Sequence, residues 1–172
     1  MTTDNISSIV ASGPIWAGVG TRSLESSLRE VIMGANSEFH MVVYSASFAI
    51  FRIFDMLEPR LAAGVRTTMI LNRANRSSQL SVIHRLNLIA RRFPDSRILS
   101  FEPRIHLRNL HAKAVVADRI DAIIGSANLS LRGMMENYEL GIRVHGEVAK
   151  RVSILIDRLS EDDECISFPL DD

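Results

Sequence analysis

The sequence has one cysteine, few aromatic residues and almost no lysine. The single cysteine, Cys165, excludes an internal disulfide. Aromatic residues make up only 6% of the 172 residues, so no platform for stacking the bases of a single strand is evident. No apolar run is long enough to span a membrane, and residues 1–12 lack the basic start and apolar stretch of a secretory signal. These absences predict a soluble globular protein with a cytoplasmic location.

The net charge is zero, but the charges are unevenly distributed along the chain. Between Arg66 and Arg119 there are eleven Arg or Lys residues against three acidic residues. Between Asp157 and Asp172 there are seven acidic residues and one Arg. A basic middle segment indicates a polyanionic partner, although an Arg-rich helix face also occurs as plain solvated surface.

Polar residues stand out in the otherwise apolar stretch from residue 111 to residue 139. The alternation over residues 110–117 predicts a strand that presents His111 and Lys113 on one face. Only two of the 20 basic residues are lysines, so a basic residue without a special role on this strand would most often be an arginine. We therefore interpret His111 and Lys113 as a functional pair rather than as a half-exposed strand pair without chemistry.

A predicted β-hairpin brings further polar groups towards this pair. Asp118 and Arg119 are typical of a turn, and the apolar residues 122–125 are typical of a strand that returns alongside the first. The return would carry Ser126 and Asn128 back towards the histidine. An imidazole can be a nucleophile or a proton donor near neutral pH, while a lysine and an asparagine can bind phosphate oxygens. This combination favours a phosphodiester substrate.

Seven positions in this stretch match the signature of a known superfamily. The pattern His-x-Lys-x4-Asp, then Gly-Ser-x-Asn, then a downstream acidic residue is met by His111, Lys113, Asp118, Gly125, Ser126, Asn128 and Glu139. The chain thereby resembles the phospholipase D superfamily. With each residue type used at about 5%, a chance match at seven fixed positions is on the order of 10⁻⁹ per starting point.

Helical and strand periodicities alternate along the chain. They predict helices over residues 24–34 and 50–63, a further helix that is capped by Ser77 or Ser78 and closed by Pro94, and a last helix over residues 147–159. They predict strands over residues 39–48, 65–71, 98–101, 110–117, 122–125 and 138–145. In the last helix we expect five residues to face inward: Val148, Val152, Leu155, Ile156 and Leu159. The alternation predicts an α/β fold with three layers, α/β/α, and a mixed sheet in the middle, and the resemblance implies the same fold.

The sequence pattern predicts three segments. We expect residues 1–15 to form a loosely held, flexible lead-in and residues 16–160 to form the phospholipase-D-like domain. Residues 161–172 would be an acidic tail that is either flexible or a contact for a partner.

The resemblance implies a dimer, because the superfamily's reaction needs two His-x-Lys motifs and this chain has one. It points to the single-motif nucleases, in which two chains share one active site across a twofold axis. His111 of one chain would attack phosphorus, while the second His111 would act as general acid and then as general base. Because the two histidines titrate as a pair, activity would be bell-shaped with pH. The reaction requires no metal and no other cofactor.

The resemblance also implies roles for the other motif residues. Lys113 and Asn128 would hold the non-bridging oxygens, and Ser126 would add a hydrogen bond in the same pocket. Glu139 would orient an imidazole, within one chain or across the interface. Asp118 and Gly125 would be structural, the first holding a turn and the second allowing a tight approach.

A loop before the motif carries Arg104, His106 and Arg108. It is the candidate for binding the substrate backbone beyond the scissile phosphate, and a disordered basic loop is the alternative.

Together these features favour a metal-independent endonuclease that acts as a homodimer on nucleic acid, DNA in preference to RNA. A lipid phosphodiesterase and a non-catalytic nucleic-acid-binding subunit are the alternatives, and no membrane-binding stretch stands out. Small single-motif proteins of this kind resemble nuclease components of prokaryotic restriction and anti-phage defence systems. The absence of a recognition domain indicates a partner ATPase or recognition subunit, for which the acidic tail is a candidate docking point.

Overall fold

A computed structural model describes residues 7–16, 19–44, 50–74, 80–105, 107–128 and 137–169. The strands in these ranges are β1 (Ser7–Ser12), β2 (Arg22–Ser23), β3 (Glu38–Val43), β4 (Arg66–Asn72), β5 (Arg97–Phe101), β6 (Ala114–Ala117), β7 (Asp121–Gly125), β8 (Glu139–His145) and β9 (Cys165–Ser167). The helices are α1 (Leu24–Gly34), α2 (Ile50–Ala62), α3 (Leu80–Arg92) and α4 (Glu147–Ser160), with a 3-10 turn at Pro14–Trp16.

The strands form one mixed sheet in the order β2-β1-β8-β7-β6-β3-β4-β5-β9. The pairs β1–β2, β3–β4 and β4–β5 are parallel, and the other pairs are antiparallel. Apolar residues of α1, α2 and α3 belong to one core cluster, and those of α4 belong to a second cluster that includes other residues of the same strands. Because strand residues alternate between faces, the two clusters lie on opposite sides of the sheet. The predicted three-layer α/β fold is confirmed.

Helix α1 shows how local sequence produces these elements. The hydroxyl of Ser23 accepts a hydrogen bond from the N–H of Ser26 at 3.4 Å and so caps the first turn. Leu24, Leu28 and Val31 recur at helical spacing and are buried against the sheet. The predicted range of this helix is confirmed.

Helix α4 is found where predicted, and the prediction of its inward face is confirmed for Ile156, Val152 and Leu159 but wrong for Val148 and Leu155. Its buried residues are Ala149, Ser153, Ile156 and Ser160, whereas Val148 and Leu155 are 38% and 65% exposed. Charged side chains also take part in the inward face of this helix. Asp157 of α4 accepts a hydrogen bond from Nη2 of Arg119 at 2.7 Å and lies 3.0 Å from Nε2 of the buried His40. Apolar periodicity alone contains no signal for these contacts from the sheet.

Parts of both predicted terminal segments form strands. This corrects the expectation of a loosely held lead-in over residues 1–15 and a flexible tail over residues 161–172. Ser7–Ser12 lies antiparallel to β8 over six residue pairs and parallel to β2 over two. Cys165–Ser167 pairs with β5 at the opposite edge of the sheet. Both strands are short and gain their hydrogen bonds from distant parts of the chain, so their own residue patterns are weak. Within the described ranges, no helix has the length and apolar character needed to cross a membrane.

Candidate active site

The predicted hairpin of β6 and β7 forms the base of the site. Its turn at Asp118 and Arg119 has φ values of +52° and +57°, as a type I′ hairpin turn requires. The N–H of Ile120 donates to the carbonyl oxygen of Ala117 at 2.9 Å and closes the turn. Strand β6 begins at residue 114, so the predicted strand over residues 110–117 was too long at its start. Its neighbour β3 ends at residue 43, and the ladder between the two ends at the pair Val42 and Ala114.

His111 and Lys113 lie together just before β6. Nζ of Lys113 is 3.3 Å from Nδ1 and 3.5 Å from Nε2 of the imidazole, and it donates to the carbonyl oxygen of His111 at 2.8 Å. The imidazole is exposed, whereas Lys113 is only 8% exposed. Burial lowers the pKa of Lys113 below its ordinary value, while the negative charge of Glu139 acts in the opposite direction. The pair therefore combines an accessible nitrogen base with a cation held against the protein.

The returning end of the hairpin brings Ser126 and Glu139 together. The hydroxyl of Ser126 donates to Oε2 of Glu139 at 2.5 Å, and Nδ2 of Asn137 donates to Oε1 at 3.3 Å. The N–H of Gly125 donates to the carbonyl oxygen of Lys113 at 3.2 Å and links this cluster to the His–Lys pair. Within one chain, the carboxylate of Glu139 is thus bound by Ser126 and Asn137 rather than by His111.

Asn128 lies two residues beyond Ser126 and next to Ala127, which lines a small apolar cavity together with Lys113. Its amide oxygen is buried and has no hydrogen-bond partner among the residues that the structure describes.

Two glycines bring β7 and β8 close together beside the site. Gly125 and Gly141 are partners in the ladder. A Cβ atom on Gly125 would lie 2.8 Å from the carbonyl oxygen of Leu140 and 2.9 Å from Cα of Gly141. Both of these are backbone atoms, so a larger residue at position 125 would push β8 and Glu139 away.

Asp118 lies at the other end of the hairpin and binds the loop between α1 and β3. Its Oδ1 accepts hydrogen bonds from the N–H and hydroxyl of Ser37, both at 2.8 Å, and from the N–H of Glu38 at 3.0 Å. Its Oδ2 accepts from the N–H of Asn36 at 3.0 Å. Burial raises the pKa of this carboxyl, but these hydrogen bonds together bring it below its ordinary value.

Two residues that the sequence pattern did not single out anchor the segment before His111. Oδ1 of Asn72 accepts a hydrogen bond from the N–H of Leu110 at 2.9 Å. Arg73 donates from Nη2 to the carbonyl oxygen of Arg108 at 3.1 Å and from Nε to Oδ1 of Asn109 at 3.3 Å. Their place at the carboxyl end of a parallel strand was the available signal, because site residues gather at that edge of an α/β sheet.

Tyr44 follows β3 and contacts both motif residues. Its ring centroid is 4.6 Å from that of the His111 imidazole, and Nζ of Lys113 lies 5.3 Å from the same phenol ring.

The predicted substrate-binding loop is described only in part. His106 lies outside the described residues. Arg104 is tied to the acidic segment, with Nη2 at 2.5 Å from Oδ2 of Asp163 and its N–H donating to Oε1 of Glu164. Arg108 is exposed, and only its backbone takes part in hydrogen bonds to the residues described. The described part of the chain contains no group of three or more His, Cys, Asp or Glu side chains that could hold a metal ion.

Residues 28–161 match the family described as "Cardiolipin synthase, PLD-like domain". The match covers most of the chain and includes every residue of the motif. The chain therefore belongs to the phospholipase D-like family, and the predicted resemblance is confirmed. The family match and the fold together define the chain as a phospholipase D-like domain.

Two solved structures share the fold over nearly their full length. NucT from Helicobacter pylori aligns with a TM-score of 0.74 at 19% identity and covers 96% of this chain and 100% of that one. Nuc from Salmonella typhimurium, a phospholipase D family member, aligns with a TM-score of 0.71 at 14% identity and covers 96% of this chain and 99% of that one.

Among curated proteins, the chain is similar to the DISARM protein DrmC of Bacillus paralicheniformis. The two are 28% identical over 139 residues, which is 80% of this chain and 56% of DrmC. The chain thus spans little more than half the length of this relative.

Proposed function

We propose that the protein is a metal-independent nuclease that forms a phosphohistidine intermediate in an active site shared by two chains. The observation that carries this proposal is the pairing of the exposed His111 with Lys113, a largely buried residue whose Nζ lies 3.3 Å from Nδ1 of the imidazole. An accessible nitrogen base beside a fixed cation suits attack on a phosphodiester, where negative charge accumulates on the non-bridging oxygens.

The mechanism has two steps. In the first, an imidazole nitrogen of His111 forms a bond to phosphorus while the bond to the leaving oxygen breaks. His111 of the second chain donates its proton to that oxygen. In the second step, the second imidazole removes a proton from water, and the resulting oxygen attacks phosphorus and releases the first imidazole. Lys113 and Asn128 bind the non-bridging oxygens, and Ser126 contributes a hydrogen bond in the same pocket.

Asp118 and Gly125 complete the motif as structural residues. The first holds the α1–β3 loop through its hydrogen bonds, and the second permits the close approach of β8.

An exposed apolar patch beside the half-site supports the homodimer. Ile9, Ile142 and Ile124 are neighbours across three strands and are 52%, 50% and 37% exposed. Leu140 lies on the same face, two residues along β8, and is 52% exposed. Helix α4 covers only the adjacent part of this face. A second copy of the chain is the occupant we propose, because the patch adjoins Gly125 and Glu139 and the reaction needs a second imidazole.

This arrangement gives Glu139 a function across the interface. Within one chain its carboxylate accepts hydrogen bonds from Ser126 and Asn137. We propose that it orients His111 of the second chain and stabilises the protonated imidazole.

The substrate we propose is nucleic acid, DNA in preference to RNA, with Arg108 as a backbone contact that has no acidic partner in the described part of the chain. The similarity to a protein named as a DISARM component supports the prediction that this chain is the nuclease part of a prokaryotic defence system. Specificity would then come from a partner, for which an ATPase or a recognition subunit is the candidate. The description of the matched family keeps a lipid phosphodiester as the alternative substrate.

The first experiment is cleavage of labelled single- and double-stranded DNA and RNA in excess EDTA, alongside vesicles that contain phosphatidylglycerol or cardiolipin. We expect the wild type to cleave nucleic acid and His111→Ala to lose at least about 10²–10⁴-fold in rate. Cleavage of the vesicle lipids alone would favour a lipid phosphodiesterase. Equal cleavage by both proteins would contradict the assignment of His111.

The shared site is tested by co-expressing wild-type and His111→Ala chains in equal amounts. If one site needs His111 from both chains, about one quarter of the wild-type activity remains, because only wild-type pairs are competent. If each chain acts alone, about one half remains, and this result would refute the composite site.

A further inference from the structure

We propose that Tyr44 is a positioning residue that holds the His111 imidazole in the orientation needed for attack on phosphorus. This inference rests on the proposed function of His111. Tyr44 is the residue directly after β3, and the preceding residue, Val43, pairs with Leu71 of β4 in the middle of the sheet.

The contact between the two rings is close. Their centroids are 4.6 Å apart with an interplanar angle of 57°. This distance lies at the short end of the range for interacting aromatic rings, and tilted arrangements are favourable because of the ring quadrupole. Tyr44 is half-buried, whereas His111 is exposed. Tyr44 therefore packs against the imidazole while His111 stays accessible to substrate.

The imidazole needs such a contact because His111 lies outside the hydrogen-bond ladder of the sheet. His111 lies three residues before β6 begins. Asn72 and Arg73 hold the backbone of the segment just before it, but neither makes a hydrogen bond to the imidazole in the structure. Backbone anchors do not restrict the side-chain dihedral angles of His111, and of the imidazole atoms the ammonium of Lys113 contacts only the ring nitrogens. Contact with an aromatic ring restricts them.

Lys113 completes the arrangement. Its Nζ lies 5.3 Å from the centroid of the Tyr44 ring, within the range of a cation–π contact. The same ammonium is 3.3 Å from Nδ1 of His111. One phenol ring thus contacts both the nucleophile and the cation, and it sets their separation. Because a misplacement of the reacting group by about 1 Å can lower the rate roughly 10²-fold, restraining the His111 imidazole should raise kcat.

A half-exposed tyrosine could instead stack on a base of the substrate. Kinetics separate the two roles. A residue that only binds substrate affects KM, whereas a residue that orients the nucleophile affects kcat.

The test compares Tyr44→Leu, which removes the ring, with Tyr44→Phe, which keeps it. For Tyr44→Leu we expect kcat to fall about 10–100-fold while KM stays within about threefold, and for Tyr44→Phe both constants should stay within about threefold of wild type. Tyr44→Met is a second ringless variant in case leucine prevents folding. An unchanged kcat in the ringless variants would overturn the proposal, as would a rise in KM alone. Failure of Tyr44→Phe to retain activity would do the same, because the hydroxyl and not the ring would then be required.

A spectroscopic readout separates this inference from the proposed function. In protein labelled at histidine, the ring protons of His111 are assigned by comparison with His111→Gln. We expect a ring-current shift in the wild type and in Tyr44→Phe that is lost in Tyr44→Leu. If no variant cleaves any phosphodiester but the shift behaves in this way, the contact stands and the proposed activity fails. If the shift is the same in all variants, Tyr44 does not hold the imidazole.

Discussion

Replacement of Gly125 by alanine tests whether the close approach of β7 and β8 supports the site. The added Cβ would lie 2.8 Å from the carbonyl oxygen of Leu140 and 2.9 Å from Cα of Gly141. Neither atom belongs to a flexible side chain, so the ladder itself must shift. Overpacking of this kind costs about 1–3 kcal/mol. For a chain of this length, a loss of about 2 kcal/mol lowers Tm by roughly 4–8 °C.

The same shift should also lower activity. Gly125 donates to the carbonyl oxygen of Lys113, and β8 begins at Glu139, so movement of either strand separates Lys113 from Glu139. We expect a lower kcat for Gly125→Ala at a temperature well below its unfolding transition. Thermal unfolding followed by circular dichroism and cleavage assays measure the two effects.

Gly34→Ala is the matched control. Gly34 ends α1, and no atom lies within 4 Å of the position that its Cβ would take. Alanine is favoured over glycine in a helix by up to about 1 kcal/mol, so this variant should be as stable as the wild type or more stable. A Gly125→Ala protein with the same Tm and kcat as Gly34→Ala would refute the steric argument.

Two further substitutions test the hairpin turn and the apolar patch. Asp118→Asn should lower the free energy of unfolding by about 1.5–3 kcal/mol at neutral pH, since several donors lose a charged acceptor. Because folding lowers the pKa of Asp118, the wild type should be more stable than Asp118→Asn above the unfolded-state pKa. This difference in the free energy of unfolding should vanish as the pH falls through the lower pKa of the folded state. Urea titrations at acidic pH that show a constant difference between the two proteins would contradict this. Ile142→Glu should convert the dimer to a monomer in analytical ultracentrifugation and reduce cleavage. The control Leu88→Glu, at an exposed position on α3, should do neither. A dimer that survives Ile142→Glu would exclude this patch as the interface.

The elements closest to the chemistry were the ones most open to prediction from the sequence. The positions of His111 and Lys113 follow from a spacing of two residues, and the return of Ser126 follows from a turn and a short strand. These are local relations, since backbone geometry alone carries them over a few residues. The α/β class was predictable for the same reason, because it depends on the periodicity within each element.

Long-range contacts decided what the sequence analysis missed. Asn72 and Arg73 reach the His111 segment from a strand that is distant in the chain, and nothing in their local pattern identifies their partners. The contacts of Asp157 on α4 with Arg119 and His40 are likewise long-range. The amino-acid sequence by itself therefore determined which groups are available and the hairpin that carries them. Tertiary structure decided which side chains hold those groups in place, because such contacts arise only when separate strands share one sheet.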